Sequence, residues 1–171
     1  MTAPQSTVTG ERADLVQTLD KHRGFLRFTV RDLTDEQATR RTTVSELTLA
    51  GLIKHVAHTE VTWAEFARRG AAAFDAGNWG EEAWLAHWRL GPGETLASVL
   101  AEYEEIARRT DELVATADLD AGYPLPQAPW FEPGAVWSVR RTLLHVIAET
   151  AQHAGHADIL REALDGQKTM G

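Results

Sequence analysis

No cysteine occurs among the 171 residues of this chain, and that one absence removes disulfides, thiolate ligands and a cysteine nucleophile together. Any metal the chain holds must therefore be held by nitrogen and oxygen. Basic residues are the minority, 17 Lys and Arg against 25 Asp and Glu, for a formal net charge of −8. A surface of that sign repels phosphate and argues against a nucleic-acid partner. There is no run of about 18 apolar residues, so no membrane span is expected. The opening MTAPQSTVTG lacks a basic start and an apolar stretch, so residues 1–10 read as a disordered tail and not as a secretory leader. The cytoplasm is the expected compartment.

What is present is an ordinary globular composition, 43% hydrophobic and 25% charged, and a length that fits one domain, 1–171, with a substantial core. Leu15, Leu19, Phe25, Leu26 and Val30 follow a helical period from Glu11 onward, and Leu33 to Glu36 read as a turn that starts a short helix. Ser45 is the expected cap of a second helix running to Arg69, with Leu49, Leu52, Ile53, Val56, Trp63 and Phe66 on its apolar side. A third helix starts at Glu94 or Thr95 and ends near Ala117; its Glu and Arg residues read as a solvated face. A fourth runs from Arg140 to Asp165, with Ser138 as its cap and Gly166 as its stop.

Two long connections separate these helices. The one between Gly70 and Gly93 carries Trp79, Trp84, His87 and Trp88; its indoles either cover core or wall a ligand pocket. In the other, Asp118 to Trp137, four prolines (124, 126, 129 and 133) forbid a helix. That loop leads into the fourth helix and is open between a lid and inert packing. Helices throughout and no strand pattern predict an all-α four-helix bundle.

The fourth helix is apolar over much of its circumference but interrupted on one face by His145, Glu149, His153 and His156. Steps of four, four and three residues turn a helix by roughly 40°, 40° and −60°, so these side chains share one stripe. An imidazole and a carboxylate at (i, i+4) can converge on one divalent metal. The bland alternative is a wet polar face, which the surrounding Leu143, Leu144, Val146, Ile147, Ile159 and Leu160 weaken. Bundles build metal sites from facing helices, so His55 on the second helix is the natural third donor. His58, three residues on, is a spare, and His87 is not assigned to the metal.

The segments LTLAGLIKHVAHTE at 47–60 and SVRRTLLHVIAETAQHAGHADILREALDG at 138–166 resemble the two signature blocks of the DinB-like superfamily, in particular the actinobacterial branch that includes mycothiol-dependent S-transferases. The resemblance implies a four-helix bundle and a divalent metal bound by three histidines. His55 matches the first of these and His153 the last. Glu149 stands where the superfamily has its middle histidine, which leaves a ligand set of two histidines and a carboxylate, as in many catalytic zinc centres. His156 is open between a fourth ligand and a proton acceptor.

With the resemblance in hand, the expected function is that of a metal-dependent transferase that activates a low-molecular-weight thiol, mycothiol or a similar compound, for attack on an electrophilic acceptor. Zinc is the first expectation for the metal, with nickel, iron or manganese as the others. His156 and His58 are the candidate proton acceptors. Trp79, Trp84, Trp88, Trp130 and Trp137 are expected to line the acceptor pocket, and Arg140 and Arg141 to hold a carboxylate of the thiol cofactor beside Trp137. A non-catalytic metal-binding stress protein and a metal-dependent hydrolase or isomerase are the rival readings. A homodimer is left open.

Overall fold

A computed structural model describes residues 9–74 and 81–169, and for 81, 83 and 84 the backbone alone. Residues 1–8 of the expected tail, Trp79 and the Trp84 side chain lie outside what it describes. Four long helices build the frame: α1 (Glu11–Phe28), α3 (Leu49–Arg69), α5 (Leu96–Thr116) and α6 (Val139–Asp165). Two short ones, α2 (Asp35–Ala38) and α4 (Glu81–Ala86), lie in the connections. Among the described residues no helix is long and apolar enough to cross a membrane.

Local chemistry sets the helix ends. Thr34 caps α2 and Thr95 caps α5, each in a reciprocal box with Gln37 and Ser98. The Ser138 hydroxyl accepts from the Arg141 amide at the start of α6, and Gly166, at φ 80°, ends that helix in the left-handed region. The expected cap at Ser45 is corrected to Thr48, whose backbone is extended and whose hydroxyl accepts from the Gly51 amide. Ser45 instead accepts from the Leu47 amide in the preceding turn.

The expectation of no strands is also corrected. Gly122–Pro124 (β1) and Val136–Ser138 (β2) pair antiparallel, Gly122 opposite Ser138. The hairpin forms because its base completes a helix start. The amides of Val139 and Arg140, which have no partner inside α6, donate to the carbonyls of Ala121 and Leu119 at 2.9 and 3.0 Å.

Around the bundle, α1 packs on α6, α6 on α3, α3 on α5 and α5 on α1. Arg140 reaching Glu11 and Arg161 reaching Thr29 show that α1 and α6 run parallel. Lys54 with Glu94, and Arg68 with the Arg109 carbonyl, show the same of α3 and α5. Parallel neighbours cannot be joined by a tight turn, because the second helix starts at the end of the bundle where the first one started. Residues 87–94 lie against the start of α3.

Two apolar clusters fill the interior. One gathers Leu26, Leu52, Ile53, Val56, Val99, Tyr103 and Leu160; the other gathers Leu19, Trp63, Phe66, Val114, Leu143 and Val146. Between them lies a layer of buried polar residues, Arg23, His55, Glu60, Thr110, Thr150 and His153. Arg23 crosses this layer from α1 to Glu60 on α3, making bonds of 3.2 and 2.5 Å to its two carboxylate oxygens. Asp111 and Asp20 add two further carboxylates, at 2.9 and 3.2 Å. A buried carboxylate opposite a buried guanidinium avoids the large penalty that either would incur alone.

Candidate metal centre

The polar layer opens to one side where α3 and α6 pass antiparallel. His55, in the middle of α3 between buried Ile53 and Val56, meets His153 of α6 edge to face at a centroid distance of 4.9 Å. Glu149 lies one turn before His153, and its Oε2 is 3.7 Å from His153 Nε2. One donor atom from each of His55, Glu149 and His153 falls within 4.8 Å of the other two. Both histidines are buried and Glu149 is half-buried, at the rim.

This set fits a divalent cation. Ligand bonds of about 2.1 Å in a tetrahedral arrangement put neighbouring donors about 3.4 Å apart, which the His153–Glu149 pair already approaches. The charge states agree as well. Burial, and then the charge of His153, push the His55 pKa down to about 4, so its imidazole keeps a lone pair at neutral pH. Glu149 is held below the usual carboxylate range, chiefly by the His153 ring beside it, with His145 and His55 acting in the same direction. Two imidazoles and one carboxylate, without sulfur, suit zinc and the other first-row divalent ions named above.

The other expected site residues fall in different places. His156 touches the cluster from behind, its Nδ1 3.3 Å from His153 Nδ1, on the ring nitrogen opposite the one that faces Glu149. His58 is not drawn into the cluster. It is exposed, and its ring stacks on His87 at 3.6 Å. Arg140 is also occupied elsewhere, ion-paired with Glu11 and Asp120, so it ties the start of α6 to α1 and to the preceding loop. Arg141 differs: its guanidinium lies over the Trp137 ring at 4.2 Å, and among the described residues it has no ion-pair partner.

Trp137 belongs to an aromatic wall at one end of the stripe. It stacks on Trp63 at 5.0 Å and meets Phe131 and His145 edge-on. Trp130, by contrast, is 73% exposed and meets the edge of this wall at Phe131, 6.2 Å away. Trp88 belongs to the other side, stacked on His55.

A fourth member of the stripe acquires a role in the folded chain. His145 Nε2 lies 3.9 Å from Glu149 Oε1, so the two carboxylate oxygens are flanked by His145 and His153 respectively. Its spacing of four from Glu149 is visible in the sequence. The aromatic box of Trp63 and Trp137 that aims its ring is not. A separate open cleft of about 570 Å³, lined by Lys54, Leu85, Ala86, Arg89, Leu90 and Gly91 among others, includes none of the three donors.

Comparison with known proteins bears on this geometry. Among solved structures, a conserved protein from Enterococcus faecalis superposes with a TM-score of 0.72 at 13% identity, over 94% of this chain and 100% of that one. YfiT from Bacillus subtilis superposes with a TM-score of 0.64 at 16% identity, over 93% of this chain and 91% of that one. It is described as "a probable metal-dependent hydrolase with an unusual four-helix bundle topology". At such identities the likeness establishes the fold alone, a four-helix bundle. Comparison with curated protein sequences finds no match. The family model for Mycothiol-S-transferase matches residues 14–166, nearly the whole described bundle, and the chain therefore belongs to that DinB-like family.

Proposed function

We propose that the protein is a metal-dependent transferase that activates a low-molecular-weight thiol for attack on an electrophilic carbon. The observation that carries this reading is the cluster of two imidazoles and one carboxylate, with donor atoms within 4.8 Å, set in the polar middle layer of the bundle. Membership of the mycothiol S-transferase family supports a thiol as the group transferred.

In this reading His55, Glu149 and His153 hold the cation. A divalent ion bound there supplies positive charge that favours the ionised form of a thiol. The thiol sulfur forms the new C–S bond and the electron pair leaves with the departing group. The thiol proton goes to a nearby base. Of the two histidines expected in that role, His156 sits behind His153 with its Nδ1 engaged by that ligand, and His58 is turned to His87. The contact between His156 and the Nδ1 of His153 also bears on the non-catalytic reading. A ring tied to the far side of His153 is not offered as a fourth ligand, so substrate or water would complete the coordination of a cation held by the other three.

Hydrolysis is the second reading, supported by the description of YfiT; water would take the place of the thiol at the same donors. The test separates the two. Metal-loaded protein is incubated with monochlorobimane and, in turn, mycothiol, bacillithiol and glutathione. The expected result is a conjugation rate above background with at least one thiol, lost in His153→Ala. No rate above background with any of them removes the transferase reading.

A further inference from the structure

Gly51, Lys54, His55 and His58 recur along α3 at steps of three, one and three, which places them on one stripe of the helix. The segment 87–94 lies along that stripe and meets each of them. The His58 ring stacks on His87 at 3.6 Å and 23°. Lys54 donates to the Arg89 carbonyl at 3.0 Å and to Glu94 at 2.6 Å, and the same Glu94 oxygen accepts from the Gly91 amide at 2.6 Å. Between these ties, the Trp88 indole lies flat on the His55 imidazole, centroids 3.6 Å apart and planes 12° from parallel. Its edge also meets His153, at 5.8 Å and 69°.

Gly51 makes the stack reachable. A Cβ at this position would stand 2.1 Å from the Trp88 carbonyl oxygen and 3.0 Å from its carbon. These are backbone atoms and cannot swing aside. Gly51 does not have positive φ, so the backbone of α3 does not require glycine there. The close approach of Trp88 does.

We infer that Trp88 is a positioning residue of the metal centre, its indole holding the plane of the His55 ring and excluding water from that face of the ligand. This rests on the reading of His55, Glu149 and His153 as metal ligands. A histidine that coordinates through one nitrogen aims that nitrogen by two side-chain torsions, and rotation about the second swings the lone pair off the cation. A flat ring in face-to-face contact opposes that rotation, because turning the imidazole drives its edge into the indole. Side chains that orient metal-ligating histidines are worth about 10–100-fold in metal affinity.

The test uses the full chain and zinc or cobalt alone. Zinc affinity is measured by competition with a chromophoric chelator, and the cobalt form is followed by its visible absorption, which reports coordination geometry. Trp88→Leu removes the flat ring, Trp88→Phe keeps one, and Gly51→Ala changes no ring but pushes the Trp88 backbone, and the indole with it, away from His55. Trp88→Leu and Gly51→Ala are expected to weaken zinc binding about 10–100-fold and to shift the cobalt bands. Trp88→Phe is expected to recover most of the affinity and the wild-type spectrum. Circular dichroism identifies any variant that has failed to fold, and the two weakening variants act at different residues, so either can carry the result. Wild-type affinity and spectrum in Trp88→Leu overturn the inference, and so does a Trp88→Phe variant as weak as Trp88→Leu. Wild-type protein that takes up neither metal overturns the ligand reading itself, an outcome distinct from both.

Discussion

His156 meets His153 nitrogen to nitrogen, Nδ1 to Nδ1 at 3.3 Å. One proton must lie between two such atoms, since two lone pairs or two N–H groups would repel. With a cation on Nε2, the nitrogen that faces Glu149, the Nδ1–H of His153 would donate and His156 would accept, which would hold the His153 lone pair toward the cluster. A ligand and its orienting partner should then differ in what their loss does. His153→Ala should lose the bound divalent ion by elemental analysis, whereas His156→Ala should keep it while its affinity falls about 10–100-fold. Full metal content in His153→Ala would show that the donors have been misassigned.

Acid should destabilise the metal-free protein through His55. Its folded pKa, about 4, lies below the ordinary 6.5, chiefly because burial disfavours the charged ring. The unfolded chain therefore takes the proton first. Stability is full above pH 6.5, falls as the pH drops toward 4, and levels off below that. A gap of this size corresponds to roughly 3 kcal/mol. Urea unfolding in the presence of a chelator, compared between pH 7.5 and 4, should show a smaller fall for His55→Gln than for wild type. Equal falls would mean that the burial of this ring does not govern the acid sensitivity.

The Arg23–Glu60 pair offers a test of the polar layer apart from the metal. Both side chains are essentially inaccessible, 1% and 0% exposed. Removing Arg23 leaves the Glu60 carboxylate without its buried counter-charge, so Arg23→Met alone should destabilise the bundle by about 3–5 kcal/mol, and Glu60→Leu alone should cost less because Arg23 keeps Asp111 and Asp20. The double variant removes both charges and should recover most of that loss. A double variant whose urea midpoint equals that of the worse single one would mean that lost packing, not the stranded charge, sets the effect.

The long helices are legible in the sequence because each carries an apolar stripe at helical spacing, and Ser138 and Gly166 announce both ends of α6. The donors are legible for a related reason: a carboxylate and an imidazole four apart on an otherwise apolar helix must face something more specific than bulk water. Ser45 and Thr48 are both good caps, however, and only the backbone at Thr48 decides between them. The three-residue strands have no alternation to show, and one ends in Pro124; pairing across the loop defines them. Helix spacing turns Glu60 away from His58, but nothing local announces its partner Arg23, 37 residues earlier. The seat of Trp88 on His55 likewise depends on where a long connection lands.

Arg140 and Arg141 are adjacent in sequence and were expected to act together, yet their surroundings separate them. The Arg140 donors are engaged by Glu11 and Asp120. Arg141 rests on Trp137 near the His145 end of the ligand stripe, where its charge helps to lower the His145 pKa after the larger effect of burial. Its N–H groups remain available for a carboxylate, and stacking holds the guanidinium plane while leaving its edge open. If thiol binding uses this corner, Arg141→Gln should raise the KM for glutathione about tenfold, the value of one charge-assisted hydrogen bond, with little change in kcat. A thiol without a carboxylate, such as N-acetylcysteine amide, should show no such rise. Arg140→Gln should leave both KM values near wild type, because the group it removes already serves Glu11 and Asp120. Steady-state conjugation of monochlorobimane measures all of these. Equal KM shifts in the two variants would show that the arginines contribute only diffuse positive charge and that Arg141 makes no specific contact.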